Sequence, residues 1–436
     1  MARILIDGYN LGLEKGTGVA TYARNLSYEI GNLGHQIDVL YGNRASATRD
    51  ELLREIYFFD STLDERIRLL EILEQIEKAI HGPLTFRAKE IPITGRVITR
   101  TFDSRLPRFD RLFNSPDLFQ RAQSAFKLWK RPSHIRLPEK PDLAHWTYPI
   151  PLYVKGRPNL YTLHDVVPLR LPYATLDHKR RYLQLLQQLD RRAEHFVTVS
   201  ENSKRDLVEI AGIAPDRITN TYQSVSIPAK YRDKPEDQVA REVEGLTGFD
   251  HKGYFLFWGS LEPKKNIGRI IEAYLSADID TPLVIVGAQA WKAEQELKLL
   301  GETDTLYGSI ERRRGARKRV IQMPYASFPL LVSLIRGAKA ALFPSLYEGF
   351  GLPVLEAMLL GTPVICSNTS SLPEVAGEAA LMVDPYDAQA ITQAIRAMDA
   401  DADLRAEHVR RGHAQAAKFT PEIYRERLAH VYDRHL

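Results

Sequence analysis

The chain alternates between short, uniformly apolar runs and longer segments whose apolar residues recur at helical spacing. Ile4-Leu5-Ile6-Asp7 reads as a buried strand. A loop with Gly16-Thr17-Gly18 follows, and Val19, Tyr22, Ala23, Leu26 and Ile30 then mark one face of a helix. Ile37-Asp38-Val39-Leu40-Tyr41 is the next strand. This is a βαβ unit, which predicts a parallel sheet with a right-handed crossover. Asp142–Trp146 and Asn159–Asp165 continue the series. A helix predicted over about 177–194 leads to strand Phe196–Ser200, and Ser200 is placed to N-cap a helix over 201–211.

A second alternating series begins at Tyr254. Its strands are Phe255–Gly259, Leu283–Gly287, Val320–Met323 and Ala340–Phe343, with a helix predicted over 266–276. Two such series predict two doubly wound α/β domains, Rossmann-like in style. The expected boundaries are 1–223 for the first, 224–420 for the second, with the linker near 224–252, and a last helix over 421–436. Residues 45–140 break the pattern and read as an insertion in the first domain. Leu52 to Ile80 is amphipathic. From 81 to 140 there are thirteen Lys/Arg against five Asp/Glu, interleaved with Phe86, Phe102, Phe109, Phe113, Phe119, Phe126 and Trp129. Basic plus aromatic fits an anionic membrane surface. An acceptor-binding flap and a plain packed insertion fit the same residues.

Composition narrows this little further. A chain of 436 residues suits two domains, and 44% hydrophobic with 26% charged residues is a globular balance. Cys366, the single cysteine, excludes a disulfide within the chain and a Cys-built metal site; it lies in the apolar run Pro363–Cys366 and is expected to be buried. No run approaches the roughly 18 apolar residues of a membrane span. The strand Ile4–Asp7, which starts almost at once, leaves no room for a signal peptide, so a cytoplasmic protein is expected, docked peripherally at the inner face of the membrane if 81–140 binds lipid. A net charge of +4 gives no reason to expect nucleic acid.

The candidate chemistry centres on residues 345–361, Ser-Leu-Tyr-Glu-Gly-Phe-Gly-Leu-Pro-Val-Leu-Glu-Ala-Met-Leu-Leu-Gly. Strand, glycine turn and helix start make an anion site, since backbone N–H groups and the positive helix end point at one place. A phosphate-bearing ligand could meet N–H groups at Gly351 and Leu352, with Glu348 and Glu356 on either side. A solvated helix glutamate and a hydrolase pair are the competing readings. Retaining glycosidases need carboxyl groups about 5–5.5 Å apart, which this spacing does not predict.

The motif resembles the Glu-x7-Glu signature of the family 4 retaining glycosyltransferases, which have the GT-B fold. Glu348-Gly349-Phe350-Gly351-Leu352-Pro353, Glu356 and Gly361-Thr362-Pro363-Val364-Ile365 carry the resemblance. It runs along the chain outside about 45–140 and is nearest the mannosyltransferase-like branch of bacterial polysaccharide biosynthesis. It implies two Rossmann-like domains facing a cleft. It also implies that Glu348 faces the donor sugar, that the turn at Phe350, Gly351 and Leu352 holds the diphosphate, and that Glu356 bonds the ribose.

Three further segments are weighed beside it. Gly16 and Gly18 allow close backbone approach of a phosphate or sugar, or simply make a turn; they lack the third glycine and later acid of a dinucleotide fingerprint. The resemblance places them beside the donor phosphates and the acceptor. His164-Asp165 ends an apolar strand, where a side chain points into the ligand crevice of a parallel sheet or merely caps the strand. The resemblance implies that His164 contacts the donor sugar. Lys264 and Lys265 stand just before a predicted helix, an unfavourable place for cations unless an anion joins them. The resemblance makes Lys265 a grip on the diphosphate. Its usual Arg position holds Ser260, and Lys264 is the replacement charge. Glu374, in the loop 368–374, is a weaker candidate. No Asp-x-Asp motif lies nearby and no pyridoxal lysine site is evident, so no metal and no cofactor are expected.

The function this implies is retaining transfer of a hexose, with mannose from GDP-mannose foremost, to a hydroxyl of a glycan or polyprenyl-linked glycan in cell-surface polysaccharide or lipopolysaccharide synthesis. The expected catalytic residues are His164, Glu348 and Lys265. dTDP-rhamnose, GDP-fucose and UDP-sugars are alternative donors. A sugar-phosphate enzyme of the same fold and a non-catalytic nucleotide-sugar binder are the rival functions.

Overall fold

The computed structural model describes residues 1–11, 18–43, 50–59, 85–97, 106–175, 178–288 and 320–436. The chain divides into two compact units. One comprises Met1–Leu169, Asp177–Gln223 and Pro421–Leu436; the other comprises Arg170–Leu176 and Ser224–Thr420.

The first unit contains strands β1 (Arg3–Asp7), β2 (Gln36–Tyr41), β3 (Thr85–Arg87), β4 (Lys89–Ile91), β5 (Arg111–Asn114), β6 (Ser133–Arg136), β7 (Leu143–Trp146), β8 (Leu152–Tyr153), β9 (Asn159–Leu163), β10 (His195–Thr198) and β11 (Ile218–Asn220). Eight of them form a sheet in the order β11-β10-β9-β7-β1-β2-β5-β4. Its pairings are parallel except β4 with β5. The central strands are buried on both faces, which is why they read as unbroken apolar runs. Ser200 accepts the Ser203 N–H at 3.0 Å and caps Glu201–Asp206, as its position predicts; a wider turn, Leu207–Ala211, completes the segment.

The stretch 45–140 is only partly an appendage. Arg111–Asn114 enters the main sheet beside β2, in register with Asp38–Tyr41. Strands β3, β6 and β8 form a small parallel sheet. Phe86, Phe113, Phe119 and Phe126 are buried, so these aromatics are core and not a lipid-facing surface. The reason is visible in Arg111, whose guanidinium bonds Asp38 at 2.9 and 3.0 Å and Glu139 at 2.8 Å. Its charge is satisfied inside the fold. The amphipathic segment begins as the helix Glu51–Phe59; its continuation to Ile80, like Phe102 and Arg105, lies outside the described residues.

The second unit adds β12 (Phe255–Trp258), β13 (Leu283–Val286), β14 (Val320–Met323), β15 (Ala340–Phe343), β16 (Val364–Ser367) and β17 (Ala380–Val383), in the order β14-β13-β12-β15-β16-β17, all parallel. Cys366 is fully buried in β16. The final helix, Pro421–His435, packs within the first unit through Tyr424, Leu428, Val431 and Tyr432.

Candidate functional site

In the second unit the chain order reverses between the neighbouring strands β12 and β15. Ligands of such sheets bind beyond the carboxyl ends of the strands at this reversal. Trp258 closes β12, and its ring meets Phe343 at the end of β15 edge-on, 4.7 Å between centroids. After β12 the two lysines occupy a tight turn, Pro263–Lys265, which stands just before the helix Ile267–Ala277. Asn266 interrupts the two elements in the left-handed conformation, with φ of 63°. Its amide holds the break in place by donating to the carbonyls of Pro344 and Pro385, at 2.9 and 2.7 Å.

Lys265 Nζ then reaches Glu348 Oε1 at 2.5 Å, with 13% and 9% of the two side chains exposed. The Leu346 N–H donates to the Lys264 carbonyl at 2.8 Å, so the lysine turn and the glycine turn are laced together. Burial alone would raise the Glu348 carboxyl. The charges of Lys265 and Lys264 and the bond from Lys265 outweigh it and hold the group below the usual carboxylate range. Lys264 also stands 3.8 Å from Glu262.

Gly351 begins the helix Leu352–Leu359 with φ of 106°, and Pro353 fits its first turn. Glu356, one turn in, accepts the Trp258 indole N–H at 2.9 Å. Burial raises its carboxyl above the ordinary value, against the opposing effects of that bond and of Lys265. Each glutamate is thus committed to a specific partner, which suits a ligand-gripping pair better than an acid and a nucleophile. Phe350 is only 3% exposed and packs on Phe419, so its side chain serves the turn's core. Two serines were not foreseen. The Glu348 N–H donates to Ser370 Oγ at 3.0 Å, and Ser371 Oγ donates to the Glu348 and Phe350 carbonyls at 2.9 and 2.8 Å. A short polar loop after a strand gives no sequence signal for that bracing.

In the first unit the reversal falls between β1 and β7. Gly16 lies outside the described residues, and Gly18 starts the helix Gly18–Asn32. Tyr22, one turn later, stands edge-on to the His164 ring at 4.7 Å. His164 follows β9, and its Nε2 lies 3.0 Å from the Thr147 carbonyl. Asp165 accepts the Val167 N–H at 3.0 Å and so starts a short helix. Asp7, also unforeseen, ends β1 fully buried. It accepts the Thr147 N–H at 2.5 Å, the Thr147 hydroxyl at 3.1 Å and the Tyr9 N–H at 3.2 Å. Its only sequence trace is a charged residue closing an apolar strand.

Residues 242–415 match the family model described as glycosyl transferases group 1, and residues 86–226 match that described as Glycosyltransferase Family 4. An O-antigen chain mannosyltransferase B of Escherichia coli is 33% identical over 288 residues, which are 62% of this chain and 71% of that one. The chain belongs to glycosyltransferase family 4. A serotype-specific mannosyltransferase WbdA of Escherichia coli is 29% identical over 262 residues, 59% of this glycosyltransferase but only 31% of its own length. Among solved structures, Anabaena HepE in complex with UDP and glucose matches the full length of both chains with a TM-score of 0.65 at 16% identity, a likeness of fold, GT-B.

Proposed function

We propose that this glycosyltransferase moves a hexose from a nucleotide diphosphate sugar to a hydroxyl of a glycan or lipid-linked glycan during cell-surface polysaccharide synthesis, retaining the anomeric configuration. The observation that carries the reading is the buried Lys265–Glu348 pair, set beside the Gly351 turn at the strand-order reversal. An arriving diphosphate competes with the carboxylate for the Lys265 ammonium and takes the N–H groups at the start of the helix. Glu348 is then released toward the donor sugar, and Glu356 toward the ribose. His164 is the further candidate for contacting the sugar.

In this mechanism the acceptor hydroxyl attacks the face from which the diphosphate departs. The C–O bond to the phosphate breaks, the new glycosidic bond forms, and the leaving phosphate oxygen takes the hydroxyl proton. Lys264, Lys265 and the helix start stabilise the charge that develops on that oxygen. The names of the relatives favour mannose, with GDP-mannose as donor. The UDP bound by the Anabaena neighbour keeps a UDP-sugar as the alternative, beside dTDP-rhamnose and GDP-fucose.

A thermal-shift panel of nucleotide sugars selects the donor, because a ligand of the folded state raises Tm by mass action. Release of nucleoside diphosphate only when acceptor is added then supports transfer. Release without acceptor points to a sugar-phosphate enzyme, and donor binding without release to a non-catalytic binder.

A polyprenyl-linked acceptor places the enzyme at an anionic membrane, where peripheral docking is part of this proposal. The exposed residues that suit it are fewer than the basic stretch suggests. They are Leu128 and Trp129, 55% and 50% exposed at the end of the helix Leu118–Trp129, with Lys127, Lys130 and Arg131 around them. Each such charge near a surface contributes roughly 1 kcal/mol, screened by salt. Binding to anionic but not neutral vesicles, lost in high salt and in Trp129→Ser, is the expected result. Equal failure with both vesicle types at low salt sinks the docking proposal. Among the described residues, no helix is long and apolar enough to cross a membrane.

A further inference from the structure

We infer that Asp7 is a positioning residue for His164 and acts on it through Thr147. The inference rests on the proposed role of His164 in contacting the sugar. A backbone carbonyl can only accept a hydrogen bond, so the 3.0 Å contact between His164 Nε2 and the Thr147 carbonyl requires that Nε2 carry the proton. In the neutral ring Nδ1 then carries no proton. The tautomer is therefore set by where the Thr147 carbonyl points.

Asp7 decides that direction. Its carboxylate takes both donors of Thr147, the N–H at 2.5 Å and the hydroxyl at 3.1 Å, and adds the Tyr9 N–H at 3.2 Å. Three donors converge on one buried anion, a set that only an ionised carboxylate satisfies in full. Burial works against that ionisation and raises the group to about 6. A fully buried carboxylate that is hard to ionise gives the fold little. What it does is lock residue 147 at the carboxyl end of β7, beside β1, where the strand order reverses. Tyr22 packs edge-on to the imidazole from the helix Gly18–Asn32, a ring contact beside the Thr147 bond.

The test uses the full chain labelled with 15N-histidine, its His164 signals identified by their loss in His164→Gln. Long-range proton–nitrogen correlation reads the tautomer directly. The wild type is expected to carry the His164 proton on Nε2. Asp7→Asn presents an amide donor to donors that need an acceptor, and should release Thr147 and give a mixture of tautomers. If the wild-type proton sits on Nδ1, or if folded Asp7→Asn keeps the wild-type pattern, the inference is overturned. Should Asp7→Asn fail to fold, Thr147→Val removes one of the three donors and should shift the His164 signals in part; no shift overturns the inference. Transfer kinetics separate the two layers. An altered tautomer with a several-fold fall in kcat supports both. An altered tautomer with unchanged kcat and KM leaves Asp7 as the positioner and removes His164 from the reaction.

Discussion

Lys265 and Glu348 are each the other's partner in the buried turn, and this makes their variants unlike. Glu348→Ala should remove most transfer activity. It should also cost about 2 kcal/mol of stability, because it strands a largely buried ammonium. A nucleoside diphosphate resupplies the missing negative charge, so the ligand-induced rise in Tm should be larger in Glu348→Ala than in the wild type. Calorimetry with and without nucleotide checks both; a smaller rise would show that Lys265 does not meet the phosphates. Lys265→Ala should lower kcat and nucleotide affinity together, since in the proposed mechanism it loses a ground-state contact that strengthens as the phosphate leaves. Unchanged nucleotide affinity counts against it. Lys264→Ala, measured beside it, shows whether Lys264 compensates for Ser260.

At the scale of elements, the glycine turn is the part most sensitive to a single methyl group. Gly351 has φ of 106°, and a Cβ there would lie 2.5 Å from the Leu372 side chain. Gly351→Ala should therefore destabilise the second unit by about 1–3 kcal/mol, the usual strain of such backbone, and loosen the start of Leu352–Leu359. Nucleotide binding should weaken more than stability does. A normal Tm with normal nucleotide affinity would show that the turn relaxes without consequence. The basic stretch gives the opposite lesson. Arg111 is one of the thirteen basic residues of 81–140, but replacing it by Gln breaks bonds to Asp38 and Glu139 and belongs among folding variants.

Across the whole molecule, buried histidines oppose buried carboxylates in the pH dependence of stability. Burial depresses His145 from 6.5 to about 3 and His195 to about 4. Their contribution is present above about 6.5 and is lost as pH falls through those values. Glu348, held low, acts in the same sense. Asp7, raised from 3.8 to about 6, acts in reverse: it favours the folded state below about 4, and that stability is lost as pH rises to about 6. Glu356 has the same sign. The histidine shifts are larger, so Tm should fall between pH 7 and pH 4. His145→Gln should flatten that slope and Asp7→Asn should steepen it; parallel curves for all three proteins would refute the assignment. His145 also fastens the last helix, with Nδ1 2.8 Å from the Tyr432 hydroxyl and Nε2 2.8 Å from Thr162 Oγ1. Tyr432→Phe leaves that buried nitrogen without its partner and should cost about 1–3 kcal/mol, read by denaturant unfolding.

The sequence by itself determined the alternation of strands and helices, because strands buried on both faces must be apolar throughout, as Phe255–Trp258 and Leu283–Val286 are. It also determined the turn from Glu348 to Glu356, because a left-handed glycine, a proline one residue into the helix and a carboxylate one turn on leave a local pattern. Only the tertiary structure decided what those residues touch. Lys265 meets Glu348 across 83 positions, and Asp7 meets Thr147 across 140. Residues 111–114 join the main sheet because Arg111 finds Asp38 in the neighbouring strand. Such pairings rest on the order of strands in a sheet. That order is set by which buried faces and charges satisfy one another over long separations, and no local period records it.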